Sequence, residues 1–218
     1  MRLEEAKRIG QIICPLNIKS CINLGSGNVA HLIASKPWVN SHLFSPLAGR
    51  GIPIIHADLY DYPGVDCRIN LTQPADFRIL DRQPGPRLFI LGNVLEHVPN
   101  DQRLNIMNSL TSYMVRGDHL IMSVPQSYPY HADPIDTGYR LEPPQLMELA
   151  PLKWISAETV ICGNFRQELS EMHRLKALRK LCKPLWPFQS FTRYRENWER
   201  LSFLFRDYKI AVVHGVKP

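Results

Sequence analysis

The chemically richest stretch of the chain is Tyr130-His131-Ala132-Asp133-Pro134-Ile135-Asp136, closely followed by Tyr139 and Arg140. Histidine is the side chain best matched to moving a proton near neutral pH, so His131 is a general-base candidate with Asp133 or Asp136 to orient its ring. Asp-Pro also starts turns, and His-x-Asp can be spent on backbone hydrogen bonds, so a structural loop competes with the catalytic reading. The spacing of His131, Asp133 and Asp136 matches no standard ligand set, and no metal is assigned to them. A second group is Asn23-Leu24-Gly25-Ser26-Gly27-Asn28, a glycine turn whose backbone could approach a nucleotide; Ala30 stands at the third glycine position of the GxGxxG pattern. Asp58 follows where a carboxylate could accept hydrogen bonds from two ribose hydroxyls, or merely cap a helix. A third group is Glu96 and His97, behind Leu91-Gly92-Asn93-Val94-Leu95.

The elements that must position these groups follow from periodicity. Ser20 to Leu24 is a short apolar run entering the glycine turn and reads as a first strand. A helical stretch with Val29, Leu32 and Ile33, then Trp38 to Leu47, leads past Gly49 and Gly51 to a second strand, IPIIHA, ending just before Asp58. VDCRINL alternates as a third strand and RLFILGNV is a buried fourth. Leu104, Met107, Leu110 and Met114 make a helical stripe closed by Gly117, and HLIMSV is a fifth strand. A short helix spans Glu142 to Leu149, WISAETVI is a sixth strand, and YKIAVVHGV closes the chain. Alternating strands and helices predict a mainly parallel sheet with helices on both faces, where ligands bind beyond the carboxyl ends of the strands.

A length of 218 residues suits one domain with, at most, a small appendage, over residues 163–205. The N-terminal stretch reads as a mixed-charge amphipathic helix rather than an export signal, and no apolar run approaches the roughly 18 residues that span a bilayer. Cys14, Cys21, Cys67, Cys162 and Cys182 form no CxxC pair and are expected as reduced, mostly buried thiols in a cytoplasmic protein. Residues 166–209 hold 11 of the 26 lysines and arginines but only 5 of the 20 acids, so the entire +6 net charge resides there. Leu169, Met172, Leu175 and Leu178 fall on one face of a helix in this segment, before an aromatic cluster at Trp186-Pro187-Phe188. Such a segment suits a peripheral contact with an anionic membrane, single-stranded nucleic acid less well, or a lid with a solvated basic face.

The run Leu91 to Asn100, with Leu95-Glu96-His97 at its centre and Val124-Pro125 ending the fifth strand, carries a family resemblance. Together with Gly25, Gly27 and Asp58 it resembles the class I S-adenosylmethionine-dependent methyltransferases of the Leu-Glu-His group, over roughly residues 20–160. The resemblance implies a Rossmann-like fold with a mainly parallel seven-stranded sheet and an antiparallel last strand. It implies S-adenosylmethionine as cofactor, with Gly25, Ser26 and Gly27 at its methionine part and Asp58 at the ribose. Asn70 and Leu71 would border the adenine, and Asn93, Val94 and Leu95 would line the cofactor wall. Asn23 and Asn70 stand where the family usually has acids; an amide still offers an acceptor. Glu96, His97, Tyr130, Tyr139 and Arg140 would bind the substrate.

The function expected on this basis is methyl transfer to an oxygen of a saccharide or other hydroxylated acceptor, His131 assisting, with a role in polysaccharide biosynthesis by family analogy. The chain lacks the Asn/Asp-Pro-Pro-aromatic motif of amino-base methyltransferases and the Pro-Cys of pyrimidine carbon methylation. The rival readings are a non-catalytic scaffold with a degenerate site, an RNA methyltransferase guided by the basic segment, and an NAD-type oxidoreductase.

Overall fold

The computed structural model describes residues 1–131, 135–185 and 190–218. Asp133 and the Trp186-Pro187-Phe188 cluster therefore lie outside the described residues. In chain order the elements are α1 (Leu3–Ile13), β1 (Ser20–Leu24), α2 (Val29–Ser35), α3 (Pro37–Val39), α4 (Ser45–Gly49), β2 (Ile54–Asp58), β3 (Cys67–Arg68) and β4 (Arg87–Gly92). They continue through α5 (Asn100–Tyr113), β5 (His119–Ser127), α6 (Pro143–Met147), β6 (Lys153–Asn164), α7 (Phe165–Ser170), α8 (Arg174–Cys182), α9 (Phe191–Ser202) and β7 (Asp207–Val216). A π-helical stretch, Asn40–Phe44, joins α3 to α4.

The strands form one seven-stranded sheet of order β3-β2-β1-β4-β5-β7-β6. Strands β1 to β5 pair in parallel, and β7 runs antiparallel to both β5 and β6. The parallel strands read as continuous apolar runs because both faces are covered: β1 is buried throughout, and Leu88, Phe89, Ile90 and Leu91 of β4 are at most 1% exposed. One core layer gathers Leu24, Phe77, Phe89, Leu95, Met107 and Leu110, and the other Ile9, Ile13, Leu43, Leu47, Ile121 and Tyr208. The sheet order reverses between β1 and β4, the switch point beyond which ligands bind in such folds.

Three expectations require correction. The third strand shrinks to two residues: before it the side chain of Asp66 accepts from the backbone N–H of His56 on β2, and after it that of Asn70 folds a turn with Thr72 that leaves the sheet edge. The single helix through Leu169, Met172, Leu175 and Leu178 is two helices: α7 ends at Ser170 and α8 begins at Arg174. The thiols are less buried than expected, with Cys14 and Cys182 exposed and Cys67 intermediate. Burial raises the pKa of Cys21 and Cys162 to about 12, and neither is activated.

Candidate functional site

The glycine turn leaves β1 at the carboxyl edge of the sheet. Gly25 and Gly27 have φ of +64° and +61°, backbone that other residues rarely adopt. A Cβ on Gly25 would come within 2.5 Å of Val94 Cγ2, so the turn is seated directly on the residues that follow β4. Beside Gly27, in contrast, no atom lies within 4 Å of where a Cβ would stand. Ser26 Oγ is buried without a hydrogen-bond partner. An open glycine face next to an orphaned hydroxyl is a cradle of the kind a polar small molecule completes.

Asp58, at the end of β2, accepts from the Gly27 N–H through Oδ2 at 2.7 Å and from the Tyr60 N–H through Oδ1 at 3.0 Å. It ties the glycine turn to β2, and each oxygen keeps a second lone pair, the number that two ribose hydroxyls need. Asn23 Nδ2 is 3.1 Å from His56 Nδ1, the amide donating to the ring. Asn70 Oδ1 accepts from both the backbone N–H and the hydroxyl of Thr72, at 3.1 and 2.8 Å. The amide acceptor expected to border the adenine is thus engaged within the turn. Leu71 is partly buried against the core.

Past β4 the chain turns through Asn93, at φ +56°, a left-handed conformation that Asn tolerates. Asn93 Nδ2 donates to Glu5 Oε1 at 2.7 Å, and the Ser123 hydroxyl donates to the same oxygen at 2.7 Å. Glu5, fully buried on α1, therefore joins the turn after β4 to the middle of β5. Val94 supports the glycine turn, whereas Leu95, expected on the cofactor wall, points into the core at 1% exposure. Its carbonyl accepts from Arg103 Nε at 2.9 Å.

A second corner forms beside this turn. Glu96 is 1% exposed, Oε2 has no hydrogen-bond partner, and burial raises the carboxyl pKa to about 8. Its backbone carbonyl accepts from the N–H and the hydroxyl of Thr137, fixing the loop after β5 against β4. His97 Nδ1 lies 2.9 Å from the Ile135 carbonyl; a carbonyl only accepts, so Nδ1 carries the proton and Nε2 keeps its lone pair. That Nε2 is 3.9 Å from Glu96 Oε1, and the rings of His97 and His131 meet edge to face at 5.3 Å.

The structure thus brings Glu96, His97 and His131 together, while Asp136 and Arg140 serve a different purpose from the one expected. Asp136 accepts from Arg140 through both oxygens, at 3.0 and 2.5 Å, and from the N–H groups of His131 and Gly138. Burial alone would raise its pKa; these donors outweigh burial and hold it at about 2. Its contact with His131 is to the backbone, the ring Nε2 lying 3.8 Å away, so Asp136 holds the loop rather than the imidazole. Arg140 is committed to Asp136 and to the carbonyls of Tyr128 and Tyr139. Tyr139 lies under the Arg103 guanidinium, 3.6 Å from its ring centroid, and the Tyr130 N–H is held by Glu199 of α9 at 2.8 Å.

Sequence reasoning missed Glu5 and Arg103. The signal for Glu5 was a charge on the apolar face of α1, in register with Ala6, Ile9 and Ile13.

No protein-family model matches the chain, and no curated protein matches it in sequence. Among solved structures, a SAM-dependent methyltransferase from Archaeoglobus fulgidus superposes with a TM-score of 0.54 at 13% identity, over 99% of this chain and 94% of that one. A phosphoethanolamine N-methyltransferase 2 from Haemonchus contortus, in complex with phosphomonomethylethanolamine and S-adenosylhomocysteine, superposes at 0.52 and 13% identity, over 98% of this chain and 52% of that one. The StiE O-MT segment gives 0.51 at 14% identity, over 98% and 73%. With the strand order 3-2-1-4-5-7-6 and the antiparallel seventh strand, these likenesses establish that the chain has the class I methyltransferase fold.

Proposed function

We propose that the protein binds S-adenosylmethionine and transfers its methyl group to an oxygen of a hydroxylated acceptor, a saccharide being the class that fits our reading best. The observation that carries the cofactor half is the cradle at β1: an open face at Gly27, the orphaned Ser26 hydroxyl and Asp58 with lone pairs to spare. A structural neighbour bound to S-adenosylhomocysteine supports the same cofactor. The neighbours include both N- and O-methyltransferases, so the acceptor atom is argued from the second corner instead.

S-adenosylmethionine supplies an electrophilic methyl on a sulfonium sulfur. An acceptor hydroxyl must be held in line with that methyl in a site that excludes water. As the oxygen–carbon bond forms, the carbon–sulfur bond breaks with its electron pair going to sulfur, and the hydroxyl proton leaves to a base. His131 assists at this corner, beside His97, whose tautomer the Ile135 carbonyl fixes. Calorimetric titration with S-adenosylmethionine and S-adenosylhomocysteine tests the reading. Micromolar binding that weakens at least tenfold in Asp58→Ala supports it, and transfer of labelled methyl to saccharides completes it. Binding without transfer to any acceptor would favour a scaffold that keeps only the cofactor site.

We also infer that the segment between β6 and β7 rests on an anionic lipid surface. The favouring observation is that α8 buries none of its residues while Leu175 and Leu178 are 65% and 58% exposed on one face, among Arg174, Lys176, Arg179 and Lys180.

A further inference from the structure

We propose that Glu96, His97 and His131 bind a divalent transition-metal ion of the zinc and cobalt class. The inference rests on the proposed function only for the acceptor's place next to this corner. One ligand atom from each of the three side chains lies within 4.8 Å of the other two. Ligands about 2.0–2.1 Å from such an ion sit roughly 3–3.5 Å apart, so closure requires a contraction of up to about 1.3–1.8 Å that side-chain torsions supply. Two imidazoles and one carboxylate form a donor set that borderline divalent ions favour.

Two independent features support an ion at this point. Glu96 Oε2 is buried and has no hydrogen-bond partner, a cost that a metal would remove. His97 already shows the arrangement of a metal-bound histidine: Nδ1–H donates to the Ile135 carbonyl, leaving the Nε2 lone pair toward Glu96. Asp136, whose Oδ2 lies 3.8 Å from His131 Nε2, is saturated by Arg140, Gly138 and His131 and supplies no ligand. The sequence concealed the set because its members come from two segments, residues 96–97 and residue 131, with none of the short spacings of known ligand motifs. With three protein ligands such an ion keeps a position for water or an acceptor hydroxyl, whose proton it makes acidic. With the ion bound, His131 serves the acceptor as a metal ligand and not as its base, and the hydroxyl proton leaves to water.

The test is titration of chelator-treated protein with Co2+, followed by its visible absorption bands, in a Cys14→Ser/Cys182→Ser background because both thiols are exposed and compete for metal. We expect one equivalent bound through nitrogen and oxygen without a thiolate band, and at least tenfold weaker binding in Glu96→Gln and in His131→Ala. Substoichiometric Mn2+ should broaden the His97 and His131 ring resonances of the unsubstituted protein, a readout that no folding defect can mimic. Absence of stoichiometric Co2+ binding, or equal binding by both variants, overturns the site. S-adenosylmethionine titration of the same sample separates the two readings. Cofactor binding without Co2+ binding overturns the metal alone, and Co2+ binding without cofactor binding overturns the proposed function alone.

Discussion

At the residue scale the candidate site depends on a few positions where backbone and side chain are both committed. Gly25→Ala would place a methyl group 2.5 Å from Val94 Cγ2 on backbone at φ +64°. The left-handed conformation alone costs about 1–2 kcal/mol, and the clash adds to it. A lower Tm together with loss of S-adenosylmethionine binding is expected; retention of both would mean that the turn can open without consequence. Asp136→Ala removes a carboxylate that holds Arg140 and two backbone N–H groups, and breaking a buried pair of this kind costs about 3 kcal/mol. Urea unfolding measures it, and a change below about 0.5 kcal/mol would show the loop to be held elsewhere. Residue types carried much of this site in the sequence: the glycines, Asp58 and the Glu96-His97 pair were visible as chemistry. What each polar group bonds to was not visible, since partners such as Glu5 for Asn93 or Arg140 for Asp136 are chosen by the fold.

At the element scale the positions of the strands were legible where a parallel strand is a continuous apolar run ending in a polar turn, and the runs at 20–24, 87–92 and 119–124 fall within observed strands. The two-residue β3 and the break between α7 and α8 were not legible; in the first case a cross-strand bond from His56 to Asp66 and a local turn at Asn70 bracket the pairing, and alternation shows neither. The joint of β5 with β7 has a consequence for pH. His119 of β5 and His214 of β7 stack, with His119 Nδ1 3.0 Å from His214 Nε2, and burial with its neighbour's repulsion lowers the His214 pKa to about 4. Between pH 6.5 and 4 the unfolded chain binds the proton that the folded chain refuses, so the stabilisation is complete above pH 6.5 and is lost on acidification through pH 4. The loss is at most about 3–4 kcal/mol. His214→Gln should flatten the pH dependence of urea unfolding over this window; an unchanged slope would assign the acid sensitivity to other groups.

At the scale of the whole molecule, charge and apolar exposure coincide on one segment. The +6 net charge lies in residues 166–209, the same stretch that exposes Leu175 and Leu178 on α8, Tyr194 and Trp198 on α9, and Phe205 at 88%. No helix among the described residues is long and apolar enough to cross a membrane, so contact with a bilayer through these helices would be by an amphipathic face. The segment is coupled to the candidate site: Glu199 of α9 holds the Tyr130 N–H, and Arg195 lies 4.8 Å over the Tyr130 ring. A lipid surface that settles α8 and α9 would thereby settle the loop that carries His131. Each basic side chain near an anionic surface contributes about 1 kcal/mol, an attraction that falls off within a Debye length. Co-sedimentation should therefore show binding to phosphatidylserine-containing vesicles, weak binding to phosphatidylcholine alone, and release by salt. Leu175→Ala with Leu178→Ala should weaken binding severalfold at constant charge if the helix binds as proposed, by inserting apolar side chains and not by charge alone. Binding to single-stranded RNA that follows salt in the same way and ignores the leucine substitutions would transfer the basic segment from lipid to nucleic acid.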